Sequence, residues 1–286
     1  MKRQLQAVIL DWAGTTLDYG CMAPMEAFRE VYAEMGVPIT EEEARAPMGA
    51  HKRIHIQKIS QMDSVRERWH EEYNRYPNDG DVSRMFEIYK GAQSETLSKY
   101  RTLIDGTLEA QEVFRDMGLR IGTTTGYTGE QMGILLNLAR DQGYSPDVSV
   151  CATGNYIISS GGGTINKIEG MRGNLSRPKP HMCNLNALLL DVDDNALVVK
   201  AGDTVGDVRE GLNAGMWTIG LAKTGNEIGM PESELNLLSR REQEALLRKA
   251  YFNLSKAGAH YVVDSIGDVA GKLVEINERL ARGEKP

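Results

Sequence analysis

The sequence predicts an α/β fold, a doubly wound parallel sheet with a helical domain inserted after its first strand. Three observations carry this. Ala7-Val8-Ile9-Leu10 is an unbroken apolar run, the mark of a strand buried on both faces. Residues 21–100 hold several amphipathic helical stretches and no strand-like run. From Asp105 onward short apolar strands alternate with helical segments, which implies parallel strands between two layers of helices. At 286 residues the chain is long enough for two unequal cores.

The first strand runs into Asp11, and Gly14-Thr15-Thr16 can turn the chain while offering hydroxyls and backbone N–H groups to an anion. Pro24 suits the first turn of a helix on which Met25, Phe28, Tyr32 and Met35 recur until Gly36 closes it. Thr40-Glu41-Glu42-Glu43 has the form of a capping box and starts a second helix, which Pro47-Met48-Gly49 interrupts. A third helix over residues 51–56 puts Lys52 and His55 one turn apart on one face. Stretches at 69–75 and 81–100 complete the helical run. Beyond it the spacing predicts helices near 107–117 and 129–142 and from Pro180, with strands over 119–126, 148–152, 196–203, 216–220 and 261–264. Residues 154–176, which contain Gly161-Gly162-Gly163, break the alternation; Ile157-Ile158 and Thr164-Ile165 on either side of the glycines suit a β-hairpin.

A formal charge of −7 argues against a nucleic-acid partner, although a local basic pocket can still hold a small anion. Cys21, Cys151 and Cys183 are far apart, with no CxxC pair and no zinc spacing, which suggests a reducing compartment. No stretch approaches a membrane span, and the apolar run behind the basic amino terminus is too short for a signal sequence. The expectation is a cytoplasmic protein bound to neither membrane nor nucleic acid.

Asp11, Thr125 and Asp203 with Asp207 all sit at the carboxyl ends of expected strands, where an open α/β sheet forms its ligand crevice. Carboxylates brought together repel, and a hard cation with oxygen ligands, for which magnesium is the natural choice, relieves them. A carboxylate, a hydroxyl, a basic group and such a cation around one point suit phosphoryl transfer. Taken singly the residues have plainer readings. Asp11 could be a turn former, Asp207 a helix cap, Met48 and Cys21 packing residues, and Lys52 beside His51 and Arg53 part of a solvated basic face.

Taken together the motifs resemble the haloacid dehalogenase superfamily and, within it, the phosphonoacetaldehyde hydrolase (phosphonatase) family. The resemblance rests on Asp11-Trp12-Ala13-Gly14-Thr15-Thr16 with Asp18-Tyr19-Gly20-Cys21, and on Glu42-Glu43-Ala44-Arg45 followed by Pro47-Met48-Gly49, Lys52 and His55. It rests equally on Thr124-Thr125-Gly126-Tyr127-Thr128 and on Gly202-Asp203-Thr204-Val205 with Asp207 and Glu210-Gly211. It implies a Rossmann-like core over 1–20 and 101–286 and a helical cap over 21–100. It implies Asp11 as nucleophile, and Mg2+ held by Asp11, the carbonyl of Ala13 and Asp203, with Asp207 in support. Thr125, Gly126 and a basic residue, Arg177 or in its place Lys179, would bind the phosphoryl group. Lys52 would form a Schiff base with a small phosphonate aldehyde, with Met48, His55, Cys21 and Tyr127 around it. A homodimer formed through the cap helices is also implied.

The residue chemistry supports the resemblance. Many phosphatases of the superfamily carry a second aspartate two positions after the nucleophile, where it protonates an alkoxide; this chain has Ala13. A carbon leaving group needs an electron sink instead, and a protonated imine is one. Lys52 must be neutral to form it, so burial and neighbouring positive charge should lower its pKa, and His55 could shuttle protons. The rival readings are a phosphate-ester phosphatase of the same fold, a hydrolase of a related phosphonate, a receiver-type signalling module that accepts a phosphoryl group on Asp11, and a non-catalytic binding protein.

Overall fold

The computed structural model describes residues 3–161, 164–168 and 175–286. β1 (Ala7–Leu10) enters the sheet and is followed by five helices, α1 (Met22–Glu34), α2 (Glu41–Arg45), α3 (Lys52–Ser60), α4 (Asp63–Tyr73) and α5 (Asp79–Lys99). The chain then runs through α6 (Thr107–Asp116), β2 (Arg120–Thr125), α7 (Gly129–Arg140), β3 (Val148–Cys151), β4 (Asn155–Ile158) and β5 (Asn166–Lys167). It continues with α8 (His181–Leu189), β6 (Val198–Gly202), α9 (Val205–Asn213), β7 (Trp217–Leu221), α10 (Glu232–Leu235), α11 (Arg240–Lys256), β8 (Tyr261–Val263) and α12 (Val269–Ala281).

Among the described residues the sheet has the order β5-β4-β3-β2-β1-β6-β7-β8. β1 pairs in parallel with both β2 and β6, so the chain reverses its direction of winding at β1 and opens a crevice at the carboxyl ends of these three strands. Alternate residues of β1 serve the two faces. Val8 and Leu10 pack with Phe114, Met132 and Leu135 from α6 and α7, while Ala7 and Ile9 pack with Met182, Cys183 and Ala187 from α8. That two-sided burial explains the unbroken apolar run. The expected parallel sheet has an antiparallel edge: β4 pairs antiparallel with β3, and β5 with β4. The expected hairpin is therefore present, with its second strand at Asn166–Lys167 rather than Thr164-Ile165. Gly162, Gly163 and 169–174 lie outside the described residues.

The helices between β1 and α6 have an apolar cluster of their own, built from Phe28, Val31, Tyr32, Ile56, Ile59, Trp69, Met85 and Tyr89. Their ends follow local rules. Thr40 and Glu43 exchange the two bonds of a capping box at the start of α2. At α1 the cap comes from further back, since both carboxylate oxygens of Asp18 accept backbone N–H bonds, from Met22 at 2.9 Å and Ala23 at 3.0 Å. Asp207 is not the N-cap of α9; Thr204 is, and Asp207 stands at the third helical position as the other half of a capping box. α11 is absent from the sequence reading because only Ala250 and Leu254 of its 17 residues are buried, too thin an apolar stripe to register. No helix among the described residues is long and apolar enough to cross a membrane.

Candidate active site

Three strand ends deliver the core half of the site. Asp11 follows β1, Thr125 closes β2, and Asp203 follows β6, as their positions in the sequence imply. Arg177 holds Asp11 through one hydrogen bond, Nη1 to Oδ2 at 2.8 Å, and a close ion-pair contact of Nη2 with Oδ1 at 2.7 Å. Asp203 accepts from Thr15 Oγ1 at 3.2 Å, Cys21 Sγ at 3.1 Å and the Asn226 N–H at 2.8 Å. The turn after Asp11 must pass close by: Gly14 has φ +78°, and a Cβ there would lie 2.5 Å from Asp203 Oδ2.

The helical segment closes the site from above. Pro24, Met48, Gly49 and Lys52 line one cavity with Asp11, Ala13, Cys21, Thr125, Gly126, Tyr127, Arg177, Asp203 and Thr204. The cavity is small and closely walled. The turn at Gly49-Ala50 seats directly on the core, since a Cβ on Gly126 would lie 2.9 Å from the Ala50 carbonyl oxygen. Lys52 is 5% exposed, its Nζ is 4.8 Å from the Tyr127 ring centre and 5.6 Å from that of Phe28, and among the described residues it has no ion-pair partner.

Burial dominates the electrostatics. It lowers Lys52 from 10.5 to about 8; Arg177 adds to the lowering while Asp11, Cys21 and Asp18 oppose it. The expected direction is therefore present, with desolvation as its main cause and positive charge a minor one. Burial, with Asp11 and Asp207 nearby, raises Asp203 to about 7, and burial raises Asp11 against the pull of Arg177. Asp207 is also fully buried, yet Arg177 and Lys200 together hold its pKa below the usual value. Asp11, Asp203 and Asp207 bring carboxylate oxygens within 4.8 Å of one another. An all-oxygen set in which burial and mutual repulsion lift two pKa values fits a hard divalent cation, which would hold both ionised. Asp207 Oδ1 is 2.7 Å from Lys200 Nζ and 3.1 Å from Arg177 Nε, and Asp11 meets Arg177, so among the described residues Asp203 is the one of the three acids with no ion-pair partner.

Most residues expected from the sequence meet here. Arg177 is buried in the site and Lys179 is exposed. Cys21 faces Asp203 as well as the cavity, and Tyr127 lines it with a buried hydroxyl that has no hydrogen-bond partner among the described residues. His55 does not line the cavity. Its ring stacks on Phe28 at 3.8 Å, its Nε2 lies 2.8 Å from the Ala44 carbonyl oxygen and so carries the proton, and its buried Nδ1 has no hydrogen-bond partner among the described residues. Burial, with Lys52 adding to it, holds the imidazole well below its usual pKa, so it is neutral. Sequence reasoning missed Lys200 and quoted Glu210 and Thr124 as motif residues without giving them a role. Lys200 was hidden in the run Val198-Val199-Lys200-Ala201; a lysine in a strand covered on both faces needs a buried partner, and that was the available signal.

The chain matches no protein-family model. A phosphonoacetaldehyde hydrolase of Syntrophobacter fumaroxidans is 42% identical over 282 residues, 99% of this chain and 95% of that one. Another, of Nitratidesulfovibrio vulgaris, is 38% identical over 282 residues, covering 99% and 94%. The crystal structure of a phosphonoacetaldehyde hydrolase-like protein from Oleispira antarctica has a TM-score of 0.90 at 36% identity, covering 99% of this chain and 96% of that one. A β-phosphoglucomutase from Clostridium difficile, 15% identical with a TM-score of 0.65 and covering 98% and 100%, shares the fold alone. With such identities over nearly its whole length, the chain belongs to the phosphonoacetaldehyde hydrolase family of the haloacid dehalogenase superfamily.

Proposed function

We propose that this protein hydrolyses the carbon–phosphorus bond of phosphonoacetaldehyde to acetaldehyde and phosphate, with residues 21–100 acting as a cap over a core of 1–20 and 101–286. One observation carries the reading: an amine kept out of ion pairs, with a pKa of about 8, lines the same small cavity as Asp11 and Arg177. A phosphatase of the same fold would need an acid for its alkoxide, and position 13 is alanine.

Neutral Lys52 attacks the aldehyde carbon, and loss of water leaves a protonated imine. Arg177 and the Thr125 hydroxyl hold the phosphoryl oxygens; Thr125 Oγ1 accepts the Tyr127 N–H at 3.1 Å and keeps its own proton to donate. An oxygen of Asp11 then attacks phosphorus. The P–C bond breaks, its electron pair forms the C=C bond of an enamine, and the imine nitrogen takes up the other pair and becomes neutral. Protonation at carbon and hydrolysis of the resulting imine release acetaldehyde and restore Lys52; water cleaves the aspartyl phosphate. Asp11, the Ala13 carbonyl and Asp203 would hold a divalent cation, whose charge would offset that of the phosphoryl oxygens. Met48, Cys21 and Tyr127 shape the aldehyde end, and His55, stacked on Phe28 outside the cavity, does not reach the substrate. Seating of the Gly49-Ala50 turn excludes water during transfer. The reading includes magnesium as the cation, a homodimer through the cap helices and a cytoplasmic setting. Incubation with phosphonoacetaldehyde and magnesium tests it: acetaldehyde and phosphate should appear in equal amounts, and phosphate release from simple esters without acetaldehyde would reject it.

A further inference from the structure

Behind the Asp11–Arg177 pair lies a fully buried carboxylate that the mechanism above does not use. Glu210, on α9, is 0% exposed. Its Oε2 accepts a hydrogen bond from Arg177 Nε at 3.2 Å, while its Oε1 has no hydrogen-bond partner among the described residues. Leaving a buried oxygen unpaired costs about 1–3 kcal/mol, and among the described residues the one hydrogen-bond partner of this acid is Arg177.

We infer that Glu210 is a positioning residue that aims the Arg177 guanidinium at Asp11 and at the phosphoryl group, an inference that rests on the proposed phosphoryl chemistry of this site. The argument is geometric. A guanidinium is planar, with its five N–H groups in a fixed fork, so fixing one edge fixes the other. Glu210 holds Nε. Thr124 holds the Nη2 corner through its carbonyl at 3.2 Å and its Oγ1 at 3.0 Å. The remaining edge then meets both oxygens of Asp11. One N–H of Nη1 has no hydrogen bond among the described residues, and Arg177 lines the cavity, so that group is left for a phosphoryl oxygen. Asp207 does not replace Glu210 in this role. Its Oδ1 is as close to Nε, at 3.1 Å, but makes no aligned hydrogen bond and is nearer to Lys200, at 2.7 Å. Asp207 therefore supplies charge, and Glu210 supplies direction.

Two isosteric variants test this without relying on turnover. Binding of inorganic phosphate to the magnesium-supplemented protein is measured by calorimetry for the native protein, Glu210→Gln, which keeps an acceptor, and Glu210→Met, which does not. Glu210→Met should weaken phosphate binding about tenfold and Glu210→Gln by no more than about threefold, the scale of one charge-assisted hydrogen bond. Equal weakening in both, or native affinity in a folded Glu210→Met, would overturn the inference. If Glu210→Met does not fold, the native protein still decides: the Arg177 Nε–H, assigned by its loss in Arg177→Lys, should give a slowly exchanging NMR resonance, and a freely exchanging one would overturn it. Failure of the proposed reaction would appear separately, as absence of acetaldehyde from the native protein.

Discussion

Replacing Lys52 with methionine keeps a flexible side chain of similar length and removes the ammonium from a site that is 5% exposed. Burial lowers the pKa from 10.5 to about 8. At about 1.4 kcal/mol per unit, this shift corresponds to about 3 kcal/mol held against the charged form in the folded state. The sign follows from proton counting. Below pH 8 both folded and unfolded chains hold the proton and the folded state bears the whole cost. Between pH 8 and 10.5 the unfolded chain still holds a proton that the folded one has lost, so stability rises with pH. Lys52→Met should therefore be more stable than the native protein at pH 7, by up to about 3 kcal/mol, and the gap should close as pH approaches 10.5. Urea unfolding of both proteins across that range reads the effect. A variant no more stable at pH 7, or a gap that does not change with pH, would refute the reasoning. The same titration leaves about a tenth of Lys52 neutral at pH 7, against about 0.03% for an unperturbed lysine, so kcat/KM should rise with pH until about 8 and then level.

Asp11→Asn should lower phosphate release at least about a thousandfold yet leave imine formation at Lys52 intact, which separate assays of phosphate and of the trapped adduct would reveal. Gly126→Ala places a Cβ 2.9 Å from the Ala50 carbonyl; the cap should seat poorly, with kcat/KM falling about 10–100-fold and the unfolding midpoint little changed. Chelation of divalent metal should abolish turnover until magnesium is restored. In the chelated protein the raised pKa of Asp203, about 7 against 3.8, makes stability fall as pH rises from 4 through 7. Asp203→Asn should remove its share of that fall, together with stabilisation by added magnesium, both readable from thermal unfolding.

The features legible in the sequence were those that follow short-range rules. β1, the capping box at Thr40 and the apolar face of α1 depend on neighbours a few residues apart, and each is where the pattern put it. Convergence of Asp11, Thr125 and Asp203 was legible because strand ends in a doubly wound sheet share one edge. That Arg177 is buried and Lys179 exposed was not legible, because it depends on which side chain a long connection turns inward. Neither were Lys200 and Glu210, whose partners Asp207 and Arg177 are fixed only by packing across β6, α9 and the segment before α8. His55 shows the reverse: its helical spacing from Lys52 was right, but its ring packs on Phe28 instead of reaching the cavity that Lys52 lines.

The division of labour between an amine from the cap and a carboxylate from the core is tested most directly by chemical trapping. The protein is treated with borohydride in the presence of phosphonoacetaldehyde and digested, and the peptides are weighed. The account expects one substrate-dependent adduct, on the peptide carrying Lys52, with none in Lys52→Arg. Full turnover by Lys52→Arg, or an adduct located elsewhere while Lys52 stays unmodified, would contradict it.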